Sequence, residues 1–414
     1  MFNFDTVTDR RHTGSVKWDE CPAEDVLPLW VADMDFPTAP CVQEAVMRRA
    51  THGCYGYTMV PDAYYAAIID WFATRHGWNI GRNEILYTIG VVPAIAATLK
   101  AVCQTGDNVV LLTPVYNIFF NLVRNAGCQT VEVPLLFTAD DRRTLHYAID
   151  WEALANALAL EKTTVLLLCN PHNPVGRIWT ADELRRIARL CAAHGVTLVA
   201  DEIHNELAAP HLTYTPLGRV MADGMALADI PRYVVCASPS KSFNTAGLQN
   251  AFLVVADADL RRRIDRAINL NEVCDVNPFG IEATIAAYTE GGEWLDELRR
   301  YLWDNYLFVR DELLRGFPDI AVADLQATYL MWIDCRAICE RKDMDDKALA
   351  NELLENGKVW LCAGSDYGKA GAGFLRITLA CPRATLSEAL LRVEQTLSPA
   401  LPLKGEGALD TIGR

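Results

Sequence analysis

Thr164-Val165-Leu166-Leu167-Leu168-Cys169 is an unbroken apolar run that ends in Asn170-Pro171-His172-Asn173-Pro174-Val175-Gly176. A second such run, Val196-Thr197-Leu198-Val199-Ala200, ends in Asp201-Glu202-Ile203-His204. Apolar runs this short, stopped by Asn and Pro or by acids, read as strands buried on both faces. Between them Thr180 stands in N-cap position with Glu183 three residues on, and Gly195 closes the segment, which predicts a helix over Ala181 to His194. Thr164 to Ala200 is therefore one β-loop-α-β unit. The same texture recurs at Val109 to Thr113, Val131 to Val133, Tyr233 to Ala237 and Phe252 to Val255, which predicts an α/β fold with a largely parallel sheet and helices on both faces. After Pro278 the pattern changes to a long helix at Trp294 to Arg315, strands at Tyr329 to Asp334, Val359 to Leu361 and Phe374 to Leu379, and a last helix near Leu386 to Leu397. The expected organisation is an N-terminal arm over 1–50 packing with a small domain, a large domain over 51–291, a smaller α+β domain over 292–397 and a loose tail over 398–414.

With 414 residues, 51% of them hydrophobic, the chain can bury the core of an enzyme-sized protein. Its 38 Lys and Arg against 53 Asp and Glu give a net charge of -15, with the basic residues scattered, so no nucleic-acid footprint is expected and small-molecule chemistry is. Asp5 and Asp9 interrupt the start, where no apolar signal region stands, and no later run reaches the ~18 apolar residues of a membrane span. A cytoplasmic protein without membrane contact is the expectation. The 13 cysteines are odd in number and lack the C-x-x-C spacing of a structural zinc site, so they read as free thiols, with no metal.

In open α/β sheets ligands sit at the carboxyl ends of the strands, so the residues that follow each strand carry the functional reading. The strand ending at Ala237 leads into Ser238-Pro239-Ser240-Lys241-Ser242-Phe243-Asn244, a lysine set among small hydroxyl residues after a buried run. Asp201 follows its strand directly. Gly90, Val91, Val92 and Pro93 precede a helix expected over Ala94 to Cys103, whose free N–H groups make an anion site. An amine, a strand-end acid and phosphate donors are what pyridoxal phosphate (PLP) needs: a Schiff-base partner, a carboxylate that keeps its pyridine nitrogen protonated, and a phosphate cup. Lys241 and Asp201 take the first two roles, Tyr116 is a candidate to lie against the ring and Asn173 to hydrogen-bond its hydroxyl oxygen.

On these residues, and on Trp30-Val31-Ala32-Asp33-Met34-Asp35-Phe36, Tyr55-Gly56-Tyr57 and Phe374-Leu375-Arg376-Ile377, the chain resembles the fold-type I PLP enzymes from about Met1 to Leu397. Within them it resembles the cystathionine β-lyase (C–S lyase) branch that includes the maltose-regulon modulator type. The resemblance implies an aminotransferase-like fold and Lys241, Asp201, Asn173 and Tyr116 in the roles just given. It further implies Arg376 as clamp for the substrate carboxylate, Tyr57 reaching the cofactor phosphate of a second subunit in a homodimer, and Ser238, Ser240 and the backbone at Val91 and Val92 completing the phosphate cup. Class I aminotransferases carry an arginine shortly after the lysine, whereas Thr245-Ala246-Gly247-Leu248-Gln249 has none, and His204 stands where they have a tyrosine; the lyase branch shares both departures.

The implied activity is α,β-elimination on L-cystathionine or a related cysteine S-conjugate, with an aminotransferase and a regulatory protein on the same scaffold as alternatives. Plainer readings stand beside these roles. Arg376 pairs with a buried acid in one, His204 is a core histidine in another, and His172 is expected on the solvent side of its loop. Segment 30–36 is either a packed arm or a lining of the substrate entrance, with Asp33 at the substrate.

Overall fold

A computed structural model describes residues 2–270 and 275–397 of the chain; the tail expected over 398–414 lies outside the described residues. Seven strands lie side by side in the order Ile85–Thr88, Ala251–Val254, Tyr233–Ala237, Thr197–Asp201, Thr163–Cys169, Asn108–Thr113 and Gln129–Pro134. The five from Tyr233–Ala237 onward are parallel. Alternation along them explains the apolar runs. Leu166, Leu168, Leu198 and Ala200 enter the core on one face of the sheet, and Val165, Leu167 and Val199 enter the core on the other. With both faces covered, no position is left for a polar residue until the strand ends. Each buried leucine contributes about 1.5–3 kcal/mol, so an acid at Leu167 would break the sheet.

The strand Ala251–Val254 runs antiparallel to both its neighbours. It is reached from Tyr233–Ala237 through Ser238 to Asn250, which holds only the short 3-10 turn Ala246–Leu248. A parallel neighbour is usually reached through a crossover helix on a face of the sheet, which this connection lacks, and the strand it leads to pairs antiparallel. The lysine loop therefore bridges the parallel set and the strand that reverses it.

The helix Ala181–Ala193 has the expected capping box, with Thr180 Oγ1 accepting from Glu183 N and Glu183 bonding back to Thr180 N. The helix expected from Ala94 instead begins at Val91, with Gly90 at the N-cap and Ala94 N bonded to Gly90 O at 3.0 Å. Pro93 is no obstacle there, because first-turn N–H groups have no partner within the helix. Val91 and Val92 are thus the first helical residues.

A second sheet of six strands runs in the order Cys362–Ala363, Phe374–Thr378, Leu330–Asp334, Ala321–Ala323, Thr144–Ala148 and Leu136–Ala139. Its last two strands come from the first half of the chain and join through a parallel pairing of Val322 with Thr144. The 25-residue helix Gly292–Gly316 and the helix Arg383–Leu397 cover this sheet, and Met331, Ile333, Leu375 and Ile377 share a core with Val309 and Leu386. The N-terminal arm is stitched to the same region: Leu27–Pro28 pairs in parallel with Val359–Trp360, and Asp35 N bonds Ala380 O. These contacts carry residues 30–35 across the carboxyl ends of the large sheet. Among the described residues no helix is long and apolar enough to cross a membrane, and every cysteine is a free thiol.

Candidate functional site

Lys241 follows the strand Tyr233–Ala237, and its Nζ donates to the carbonyl of Ala32 at 2.6 Å. Burial holds the amine below the ordinary lysine value; Arg376 adds to this, while Asp33 and Asp201 oppose it. Asp201, the last residue of its strand, is 3% exposed and accepts from Ile203 N at 3.1 Å. Burial raises its carboxyl to about 6, with the Ile203 bond and Lys241 opposing, so it is ionised at neutral pH and lies in the field of Lys241.

Arg376 sits mid-strand in Phe374–Thr378 and is 4% exposed. It donates to Trp30 O at 2.6 Å and to Asn173 Oδ1 at 3.3 Å, its Nε has no partner, and its guanidinium lies 5.0 Å from the centre of the Tyr367 ring. No carboxylate pairs with it among the described residues, and the groups that act on its charge are Tyr367, Cys362 and Tyr116. The reading of Arg376 as half of a buried ion pair is thereby excluded. A buried, unpaired guanidinium is expensive unless something anionic comes to it.

Asn173 is 4% exposed and lies against both Arg376 and Cys169. Tyr116 is in the field of Asp201 and Arg376, and burial pushes its phenol above the ordinary value. Val91 and Val92 present first-turn N–H groups at the start of the helix Val91–Val102. Ser238 does not offer a free hydroxyl: its Oγ donates to Asn250 O at 2.6 Å and accepts from Ser240 N at 3.1 Å. Tyr57 is fully exposed, close in sequence to exposed Tyr55 and Met59, and is not brought to the other residues.

Segment 30–35 answers the question left open for the arm. Asp33 is paired with Arg10 at 2.7 Å and faces Lys17 at 3.6 Å, while Asp35 is buried against Arg10, Lys17 and Trp18 Nε1. These ion pairs fix the segment, and its carbonyls at Trp30 and Ala32 hold Arg376 and Lys241. The segment is both a packed arm and a wall of the site.

His204 is 3% exposed, has no partner at Nδ1 and lies edge-on to Tyr329 with ring centres 6.0 Å apart. Burial, with Lys241 and Arg376, lowers it to about 3, so it is neutral. His172 does not face solvent as expected. It is fully buried, its Nε2 lies 3.1 Å from Leu112 O, and burial lowers it to about 4. The loop after Cys169 tucks under the strand ends because Gly176, at φ +72, turns it back with Gly176 N on His172 O at 2.7 Å; a Cβ at Gly176 would meet Leu325 at 2.6 Å. Sequence reasoning missed Tyr329, whose hydroxyl donates to Ala32 O at 3.0 Å, and Tyr367 under Arg376. In the sequence Tyr329 is only the first residue of an apolar run.

An amine whose charged form burial disfavours, a buried acid within its field and a buried arginine without a carboxylate partner among the described residues converge at the carboxyl end of a mostly parallel sheet. Residues 24–393 match the family model described as aminotransferase class I and II, and the chain belongs to that family, with the fold-type I architecture. It is 38% identical to cystathionine beta-lyase PatB of Bacillus subtilis (strain 168), over 96% of this chain and 100% of that one. Protein MalY of Escherichia coli (strain K12) is 34% identical over 94% and 97%. Among solved structures, cystalysin of Treponema denticola, which contains a pyridoxal 5'-phosphate cofactor, matches at TM-score 0.87 and 31% identity, over 96% of this chain and 99% of that one.

Proposed function

We propose that this chain is a PLP-dependent carbon–sulfur β-lyase that splits L-cystathionine or a related cysteine S-conjugate into a thiol, pyruvate and ammonia. The observation that carries the reading is Arg376, a buried guanidinium with an unpartnered Nε and no counter-ion among the described residues, beside a lysine whose charged form is disfavoured. Unpartnered polar atoms at Arg376 Nε and His204 Nδ1 fit a pocket made for a polar, anionic guest. The whole-length likeness to cystathionine beta-lyase PatB supports the reaction class.

Lys241 and Asp201 would hold the cofactor at its aldehyde and ring nitrogen, Asn173 at its ring oxygen and Tyr116 against its face. The hydroxyl of Ser240 and the amides of Val91 and Val92 would hold its phosphate, while Ser238, whose hydroxyl is spent on Asn250 O and Ser240 N, shapes the loop that carries Ser240. Bound there, PLP supplies an electron sink for the pair left at Cα when the substrate loses its Cα proton. Arg376 binds the substrate carboxylate with its planar fork and so fixes which bond at Cα faces Lys241. Lys241 Nζ takes the Cα proton as general base, and burial, which disfavours its charged form, favours the neutral amine that role needs. The Cβ–S bond then breaks, the proton taken up by Lys241 Nζ passes to the leaving sulfur to give the thiol, and the remaining three-carbon fragment takes up water to give pyruvate and ammonia. Asp201, buried but ionised near neutrality, holds a proton on the ring nitrogen through this sequence. His204, neutral and without an acidic proton to lend, is a wall of the site.

Tyr57, exposed beside Tyr55 and Met59, belongs at the phosphate of a second subunit in a homodimer. The free thiols among the described cysteines support a cytoplasmic location. Replacing Lys241 with alanine tests the assignment. The visible absorbance of the cofactor-bound protein and pyruvate release both disappear if it is right, and survival of either would refute it.

A further inference from the structure

Tyr329 is a buried side chain at the site that the reaction above does not use. Its hydroxyl donates to Ala32 O at 3.0 Å, and that same carbonyl accepts Lys241 Nζ at 2.6 Å. A carbonyl oxygen has two lone pairs, and here a phenol takes one and the lysine amine the other. The phenol is set there by strong constraints. Thr328, the residue before it, is buried at φ +74, a left-handed conformation that is a genuine outlier for a β-branched residue. Thr328 N bonds Leu207 O at 3.0 Å, its Oγ1 accepts from Leu330 N at 3.1 Å, and Tyr329 O accepts from Leu379 N at 2.7 Å. The ring is backed edge-on by His204. Strain of this kind persists only where the surroundings over-determine it, and it gathers at functional sites.

We propose that Tyr329 is a positioning residue for Lys241: by occupying one lone pair of the Ala32 carbonyl it confines the released amine to the other and so aims the amine's lone pair at the substrate Cα–H. A neutral amine has two N–H bonds and one lone pair. With one N–H fixed on Ala32 O, the direction of the lone pair is restricted to a rotation about that bond. Without the phenol the amine can swing between both acceptor positions, and the proton transfer loses its alignment while substrate binding at Arg376 is untouched. The ion pairs of Asp33 and Asp35 with Arg10 and Lys17 keep the carbonyl itself in place.

The inference rests on the PLP reading, so its test uses a reaction common to all enzymes with this cofactor: exchange of the Cα proton of L-alanine in heavy water, followed by proton NMR. In Y329F, exchange falls at least tenfold at saturating alanine with the half-saturating concentration changed less than threefold. In the cofactor-free protein, the pH midpoint for PLP capture moves upward, because Ala32 O, relieved of the phenol, binds the charged amine more strongly. A residue that merely packs would not move that midpoint. As a second measurement, Lys241→Ala is rescued with methylamine, and Y329F on that background has no further effect, since no tethered amine remains to be aimed. Wild-type exchange in Y329F, an unmoved midpoint, or an equal loss on both backgrounds overturns the proposal. Absence of exchange in the wild type itself would instead overturn the PLP reading.

Discussion

Replacing Arg376 with methionine separates a substrate clamp from a structural ion. In the folded protein Arg376 gives up two hydrogen bonds to oxygen on this change, to Trp30 O at 2.6 Å and Asn173 Oδ1 at 3.3 Å, and a weaker one to Cys362 Sγ at 3.5 Å. At about 0.5–1.5 kcal/mol each, that loss is about 1–3 kcal/mol. Against it stands the removal of a buried charge without a counter-ion, and exchanging buried charges for apolar groups is often neutral or stabilising by about 1–4 kcal/mol. The two nearly cancel, so without ligand R376M should unfold in urea within about 1 kcal/mol of wild type. Activity should not cancel. Two charge-assisted bonds to a carboxylate are together about 3–6 kcal/mol, which is a fall of about 10²–10⁴ in kcat/KM for pyruvate formation. The assay is urea unfolding of the cofactor-free protein beside steady-state kinetics of the loaded enzyme. A stability loss above about 3 kcal/mol would refute the reasoning, because it would mean that Arg376 is held for the fold and not for a substrate.

Two further changes test the electrostatics. Asp201 is raised by burial from 3.8 to about 6, so it subtracts stability as pH climbs between those values, and the deficit then stays constant. D201N should therefore make the cofactor-free protein more stable than wild type by up to about 3 kcal/mol at pH 8 and equal to it below pH 4, while PLP no longer raises its melting temperature. His204 is lowered from 6.5 to about 3, so the folded state refuses a proton that the unfolded chain accepts, and wild-type stability falls as pH drops below 6.5. H204F should be more stable than wild type by about 2 kcal/mol at pH 5 and no different at pH 8, by urea midpoint at each pH; a difference that does not change with pH would contradict a buried neutral histidine.

What the sequence discloses follows from where the physics is local. The unit from Thr164 to Asp201 is readable because both faces of its strands are buried and the helix between them is capped by Thr180, Glu183 and Gly195. Each of these signals lies within a few residues of what it specifies. Lys241 and Asp201 stand out because a charged residue directly after an apolar run needs a reason, whereas Arg376 is reached only through the resemblance to the family. The strands Leu136–Ala139 and Thr144–Ala148 were not foreseen, because their place in the second sheet comes from pairing Thr144 with Val322, far along the chain. His172 looked exposed because its neighbours are turn formers, yet the turn at Gly176 folds the loop inward. The hold on Lys241 was least visible of all, since the acceptor is the backbone carbonyl of Ala32 and the residue letter says nothing of a carbonyl's direction.

The central claim is that the chain cleaves carbon–sulfur bonds with PLP held at Lys241. Its most direct test is the absorbance spectrum of the purified, PLP-loaded protein, followed by L-cystathionine with coupled detection of pyruvate. The account predicts an absorbance band near the violet edge of the visible range that is absent in Lys241→Ala, and rapid pyruvate formation with one thiol released per pyruvate. The same band with no pyruvate, and loss of colour on adding amino acids alone, would contradict it and assign the site to transamination.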